Sequence, residues 1–131
     1  MPEIRSPFLR VVIAVDAAAC GGAGLLFAVG GAAAEATLGL SPALMQPVGL
    51  FLTGYAALLA WLASRPALPR GLVWGLVSFN VLWAVESGLL VSLGWAQPTA
   101  LGLGVVLGQA AAALVVADLQ FLALKRARAP A

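Results

Sequence analysis

Between Arg70 and Lys125 the chain reads GLVWGLVSFNVLWAVESGLLVSLGWAQPTALGLGVVLGQAAAALVVADLQFLAL (residues 71–124), 54 residues of which only Glu86 and Asp118 are charged. One membrane crossing takes about 20 apolar residues. The stretch is therefore too long for one helix and fits two, joined by a tight turn at Gly94-Trp95-Ala96-Gln97-Pro98, with Pro98 suited to the first turn of the second of them. Toward the N-terminus the pattern repeats. Residues 43–63 (ALMQPVGLFLTGYAALLAWLA) are long enough to cross, with Ser41 as an N-cap and Pro42 in the first turn. The 24 residues from Val11 to Ala34 are interrupted only by Asp16. Four spans follow, over about 11–33, 43–63, 71–94 and 98–124, in a single domain covering 1–131. The short connections make consecutive helices antiparallel neighbours. The expected fold is all-α, an antiparallel four-helix transmembrane bundle.

Composition agrees. Of 131 residues, 63% are hydrophobic and 9% charged, where a soluble domain carries about a quarter charged. Four spans leave little length for a water-soluble domain. The chain has no histidine, one cysteine and two methionines. That excludes a histidine base, a histidine-ligated haem, the usual zinc sites, an internal disulfide and a CxxC redox pair. No metal site, cofactor or catalytic group is expected, and no nucleophile, base and oxyanion-hole arrangement can be picked out. The chain reads as a non-enzyme.

All seven bases flank the spans on one side: Arg5 and Arg10 before the first, Arg65 and Arg70 between the second and third, and Lys125, Arg126 and Arg128 after the fourth. The opposite loops carry none. By the positive-inside rule both termini and the middle loop are cytoplasmic, giving an N-in, C-in protein of a bacterial inner membrane. The formal charge of +2 thus reports orientation. Three short basic segments with no folded domain to arrange them do not read as a nucleic-acid surface. The basic start and the Ala32-Ala33-Ala34 run also fit a cleavable signal, but the apolar run is too long for a signal core and carries Asp16 inside it, so a retained span is expected. Phe8, Trp61, Trp74 and Phe121 near the basic side and Trp95 near the other read as interfacial anchors.

Buried charge is costly in a bilayer, about 2.5–3.5 kcal/mol for an acid near the middle of a span, so Asp16, Glu86 and Asp118 need a reason. At about 1.5 Å per residue, Asp16 lies about 9 Å above Arg10 and Asp118 about 10 Å above Lys125. Glu86 and Gln109 share a level about 24 Å above the bases. At about 100° per residue, Asp16 shares a stripe with Ala19, Cys20, Ala23, Gly24 and Phe27. Gln46, Thr53, Ala57, Ala60 and Ser64 form a weakly polar stripe on the second helix. Asp118 lies with Ala111, Leu114 and Val115, while Gln109, Ala113, Val116 and Gln120 point the other way.

On the third helix Asn80, Trp83, Glu86 and Ser87 occupy one arc of about 120°. With Gln109 they form a candidate ligand site, a carboxylate beside an indole face being suited to an organic cation. The plainer reading is a protonated Glu86 hydrogen-bonded to Gln109 or a carbonyl, pinning helices while Trp83 fills the core. Asp16, Glu86 and Asp118 are candidate proton-exchanging groups, or Asp16 and Asp118 share a proton or bond neighbouring helices separately. The Gly104-x-x-x-Gly108-x-x-x-Ala112 run is a candidate helix-packing or dimerisation surface.

The last two helices resemble a group of small four-helix bacterial inner-membrane proteins without assigned function. Asn80-Val81-Leu82-Trp83, Gly94-Trp95 followed by Pro98-Thr99, Gln109-Ala110 and Ala117-Asp118-Leu119-Gln120 carry the resemblance, which covers about half the chain and implies a fold and a membrane location but no activity. Small multidrug-resistance transporters share the length, the four helices and an acid in the first. Here Asp16 stands where they use glutamate, the aromatic residues are placed differently, and the seven-to-zero loop bias rules out dual topology. The expected function is a structural or partner subunit of the membrane, self-associating or joined to another membrane protein, its intramembrane acids serving helix packing. The alternative is a proton-coupled carrier of a small cationic or amphipathic solute.

Overall fold

The structure, a computed structural model, describes residues 3–127; Arg128 lies outside them. Its elements are β1 (Glu3–Ile4), α1 (Pro7–Val29), α2 (Gly31–Leu38), α3 (Pro42–Ala63), β2 (Leu68–Pro69), α4 (Arg70–Ser92) and α5 (Ala100–Ala127). Four of the five helices, α1, α3, α4 and α5, are long and apolar enough to cross a membrane. Their outward faces carry bare Val, Leu, Phe and Trp, among them Val15, Leu26, Leu50, Leu82 and Val115. A water-facing surface would not tolerate so much contiguous apolar area, and the molecule is built as a multi-pass membrane protein.

Helix starts follow from local chemistry. Ser6 and Ser41 cap α1 and α3, their hydroxyls accepting from the Leu9 and Leu44 N–H groups, each with proline in the first turn. The first span ends at Val29 rather than near 33, because the chain breaks at Gly30-Gly31, where Gly31 takes φ +54°. Between the first two spans, where the sequence reading places only a connection, Gly31–Leu38 form the two-turn helix α2. It ends at Gly39 in the left-handed conformation. Its last carbonyls are closed from across the molecule. The Thr99 N–H donates to Leu38 O (3.0 Å) and the Thr99 hydroxyl donates to Thr37 O (2.7 Å). The same hydroxyl accepts from the Gly102 N–H, so Thr99 rather than Pro98 marks the start of α5.

The long helices pair as two antiparallel hairpins. In α1–α3 the backbones touch: a Cβ on Gly24 would lie 2.8 Å from Thr53 N, and one on Gly49 would lie 2.7 Å from Gly24 O. Small residues are what permit such an approach. The α4–α5 pair is joined instead by side-chain hydrogen bonds, described below. The inward face of α3 is Met45, Gly49, Leu52, Ala56 and Leu59, so of the polar stripe read from sequence only Thr53 is near it, while Gln46, Ala57 and Ala60 are exposed.

At the basic end the hairpins close on one another. Ile4, Leu9, Ile13, Leu59, Leu62, Leu68, Val73, Leu76 and Leu124 form a continuous buried cluster. Over it β1 and β2 make a short antiparallel bridge, Ile4 opposite Leu68. Arg10 donates to Ala63 O at the end of α3 (3.0 Å) and Arg70 to Leu124 O in the last turn of α5 (2.9 Å), which satisfies carbonyls the helices leave open. Arg65, Lys125 and Arg126 lie over the rings of Trp61, Phe121 and Phe8.

Candidate functional site

Above this plug the seam between the two hairpins holds two adjoining cavities. The inner one, about 180 Å³, is lined by Asp16, Cys20, Tyr55, Phe79, Asn80 and Val116 among others. The outer one, about 190 Å³, runs toward the α2 end past Phe27, Leu40, Met45, Glu86, Leu90 and Trp95. Ala23, Leu52, Trp83 and Gln109 line both.

The partition between them is a hydrogen-bonded unit. Trp83 Nε1 donates to Gln109 Oε1 (2.7 Å), and Gln109 Nε2 donates to Ser87 Oγ (2.9 Å) and Val106 O (3.0 Å). The Ser87 hydroxyl in turn donates to Trp83 O. One turn of α4 and one amide of α5 thus hold each other. Deeper in the bundle, Asn80 Nδ2 donates to Leu76 O and to Gln120 Oε1 (3.2 Å), both side chains buried. These amide and indole contacts, not carboxyl groups, pin α4 to α5.

The three intramembrane acids part company. Asp16 is buried, 6% exposed; its Oδ1 accepts from the Cys20 thiol (3.4 Å) and its Oδ2 has no partner. Glu86 is exposed and stands at the rim of the outer cavity. It makes no bond to Gln109, whose amide is fully engaged with Trp83, Ser87 and Val106. The reason is angular: Glu86 sits about 120° around α4 from Asn80, at the far edge of the arc, while Ser87 falls within about 20° of the buried Asn80. Asp118 faces outward from α5 with Ala111, Leu114 and Val115, and nothing brings it to Asp16. Gly104 and Gly108 lie on that same outward face, where a Cβ would meet nothing within 4 Å, while Ala112 turns to the rim of the inner cavity. Asn80, Trp83 and Gln109 are therefore brought together, Glu86 borders them, and Asp16 joins them from α1.

The residues missed in the sequence are aromatic. Phe51 and Tyr55 of α3 meet Phe79 and Trp83 of α4, with ring centroids 5.8 Å apart for Phe51–Phe79, 6.0 Å for Phe51–Trp83 and 4.6 Å for Tyr55–Phe79. In a chain where nearly everything is apolar these rings lack contrast. Their signal was spacing: each helix contributes a pair four residues apart, on one face.

Among the described residues the buried side-chain polar atoms left without a partner are Asp16 Oδ2, Tyr55 OH and Gln120 Nε2. The first two belong to residues lining the inner cavity. Native interiors leave few such atoms unpaired, and those that remain unpaired mark places where water or a ligand sits. Among the described residues no three His, Cys, Asp or Glu side chains come together as a metal site would require. The chain matches no protein-family model, no curated protein and no solved structure.

Proposed function

We propose that the chain is a non-enzymatic, multi-pass protein of the bacterial inner membrane, with both termini cytoplasmic. In this reading it takes a small cationic or amphipathic solute into the seam between its hairpins as a proton-coupled carrier. The observation that carries this reading is the pair of adjoining cavities, with an unpartnered buried carboxylate oxygen at the inner one. A bundle whose acids served only packing would hydrogen-bond them to neighbouring helices. Here that work falls to Asn80, Gln120, Trp83 and Gln109. Within the carrier reading Glu86 meets the solute first, Trp83 and Gln109 separate the cavities, and Asp16 exchanges the proton. Asp118 is remote from the seam and takes no part. Orientation rests on the bases, which gather at the closed end and lie against helix termini and aromatic rings there.

The experiment is solute-driven proton movement in proteoliposomes, screened over monovalent organic cations. Movement that disappears in Asp16→Asn and persists in Asp118→Asn is expected. If no solute moves protons, or if Asp118→Asn alone abolishes movement, the carrier reading fails. A second reading, a subunit that associates with itself or another membrane protein, is favoured by the open Gly104 and Gly108 face of α5, which the bundle leaves uncovered.

A further inference from the structure

We infer that the inner cavity is a binding site for a protonated amine about the size of one substituted ring, its N–H on Asp16 and its apolar part against Tyr55, Phe79 and Trp83. The inference rests on the solute-handling reading and adds to it the chemical class of the solute and the group that meets its charge.

The charge requirement comes from Asp16. The carboxylate is buried and the nearest base along its helix, Arg10, is committed to Ala63 O. Oδ1 already accepts a thiol hydrogen, so Oδ2 is the open acceptor, and Tyr55 OH is a second open polar atom on the same cavity. An ammonium N–H supplies both a donor and the missing positive charge. Part of the remaining wall is aromatic, with Tyr55 and Phe79 centroids 4.6 Å apart and Trp83 5.8 Å from Phe79. Ring faces attract a cation and shelter the hydrocarbon it carries.

Size narrows the class further. An apolar cavity of about 150 Å³ holds benzene, whereas a water claims about 30 Å³. The inner cavity, about 180 Å³ and open at one side past the exposed Val15 and Ala112, has room for one ring with a short substituent. Waters could satisfy Asp16, but an aromatic and aliphatic wall gives them few further partners. A hard metal cation asks for about six or more oxygen ligands, and this wall is mostly ring and methyl.

The test uses the full chain in detergent micelles and equilibrium dialysis with benzylamine, benzyl alcohol and benzyltrimethylammonium as probes. Benzylamine should bind, benzyl alcohol should bind at least about 10-fold more weakly, and the quaternary ion, lacking an N–H, should fall between them. Asp16→Asn should weaken benzylamine about 10- to 100-fold, the range expected for a hydrogen bond to a charged group. Ala23→Leu, which fills the cavity and leaves Asp16 in place, should abolish binding. Each variant is compared at matched helicity and elution volume, and Ala23→Leu gives an independent answer if Asp16→Asn does not fold. Equal binding of benzylamine and benzyl alcohol, or benzylamine affinity unchanged in a folded variant, overturns the site. So does absence of benzylamine binding to the folded wild-type chain. Benzylamine binding that depends on Asp16, without proton movement in proteoliposomes, would sink the carrier and keep the site. Proton movement driven by other solutes, without benzylamine binding, would do the reverse.

Discussion

The half of the bundle that bears the bases and the half that bears α2 are made from the same apolar residue types and each has a buried cluster, yet the seam between the hairpins is filled in one and holds cavities in the other. In the first, Leu9, Ile13, Leu59, Val73 and Leu124 interlock across both hairpins to 1% exposure or less, and arginines close the helix ends. In the second, the α1 and α3 backbones meet through Gly24 and Gly49, while across the seam Trp83, Leu52 and Gln109 face cavity. Branched side chains from four helices fill a bundle; glycine contact on one side and aromatic rings on the other hold its walls apart. The closed half is an anchor, and the open half is where a solute fits.

The largest effect that could break this contrast is a core truncation. Leu59→Ala in the closed half should cost about 2–5 kcal/mol. Leu52→Ala, at a wall already facing cavity, should cost clearly less. Reversible denaturant unfolding in mixed micelles measures both, and equal losses would mean the halves are packed alike. Next comes the glycine contact. Gly49→Leu forces α1 and α3 apart and should cost about 1–3 kcal/mol or more, whereas Gly108→Leu, on the open face of α5, should stay within about 0.5 kcal/mol in the monomer. If Gly108→Leu instead lowers the mass of the detergent-solubilised complex by a whole chain, α5 is an association surface. A smaller loss, averaging about 0.6 kcal/mol and reaching about 1.7, is expected for Gln120→Leu, which removes the partner of Asn80. Smallest of all, Glu86→Gln and Asp118→Asn should leave thermal unfolding within the equivalent of about 0.5 kcal/mol, because both groups are exposed and bond nothing. A large loss in either would restore the idea that the acids hold the helices.

The fold was legible where hydropathy has contrast. Four apolar runs separated by charges gave four long helices, and Ser41-Pro42 gave the start of α3. What escaped was set by contacts distant in sequence: α2 exists because Thr99, some 60 residues on, closes its carbonyls, and the Ile4–Leu68 bridge joins two segments that read as tails and loops. At the site, Asn80, Trp83 and Gln109 stood out because polar groups are rare here. Helical spacing also separated Asp118 from Gln109 correctly. An arc of 120° was too coarse to decide that Ser87 turns in and Glu86 turns out. Phe51, Tyr55 and Phe79 were invisible to a search for polarity, although Tyr55 and Phe79 line the inner cavity and Phe51 packs against them from outside it.

The central claim, that the seam is open to small solutes down to the level of Asp16, has a natural reporter in Cys20, which lines the inner cavity and is the chain's single cysteine. The measurement is its modification by 2-aminoethyl methanethiosulfonate, a small cationic thiol reagent, in the folded membrane-embedded protein, followed by mass spectrometry of the intact chain. Cys20 should be modified, with benzylamine slowing the reaction, while a cysteine placed at Leu59 in a Cys20→Ser chain should stay untouched. Modification of Cys20 only after unfolding, or at the same rate as the Leu59→Cys control, would contradict the account.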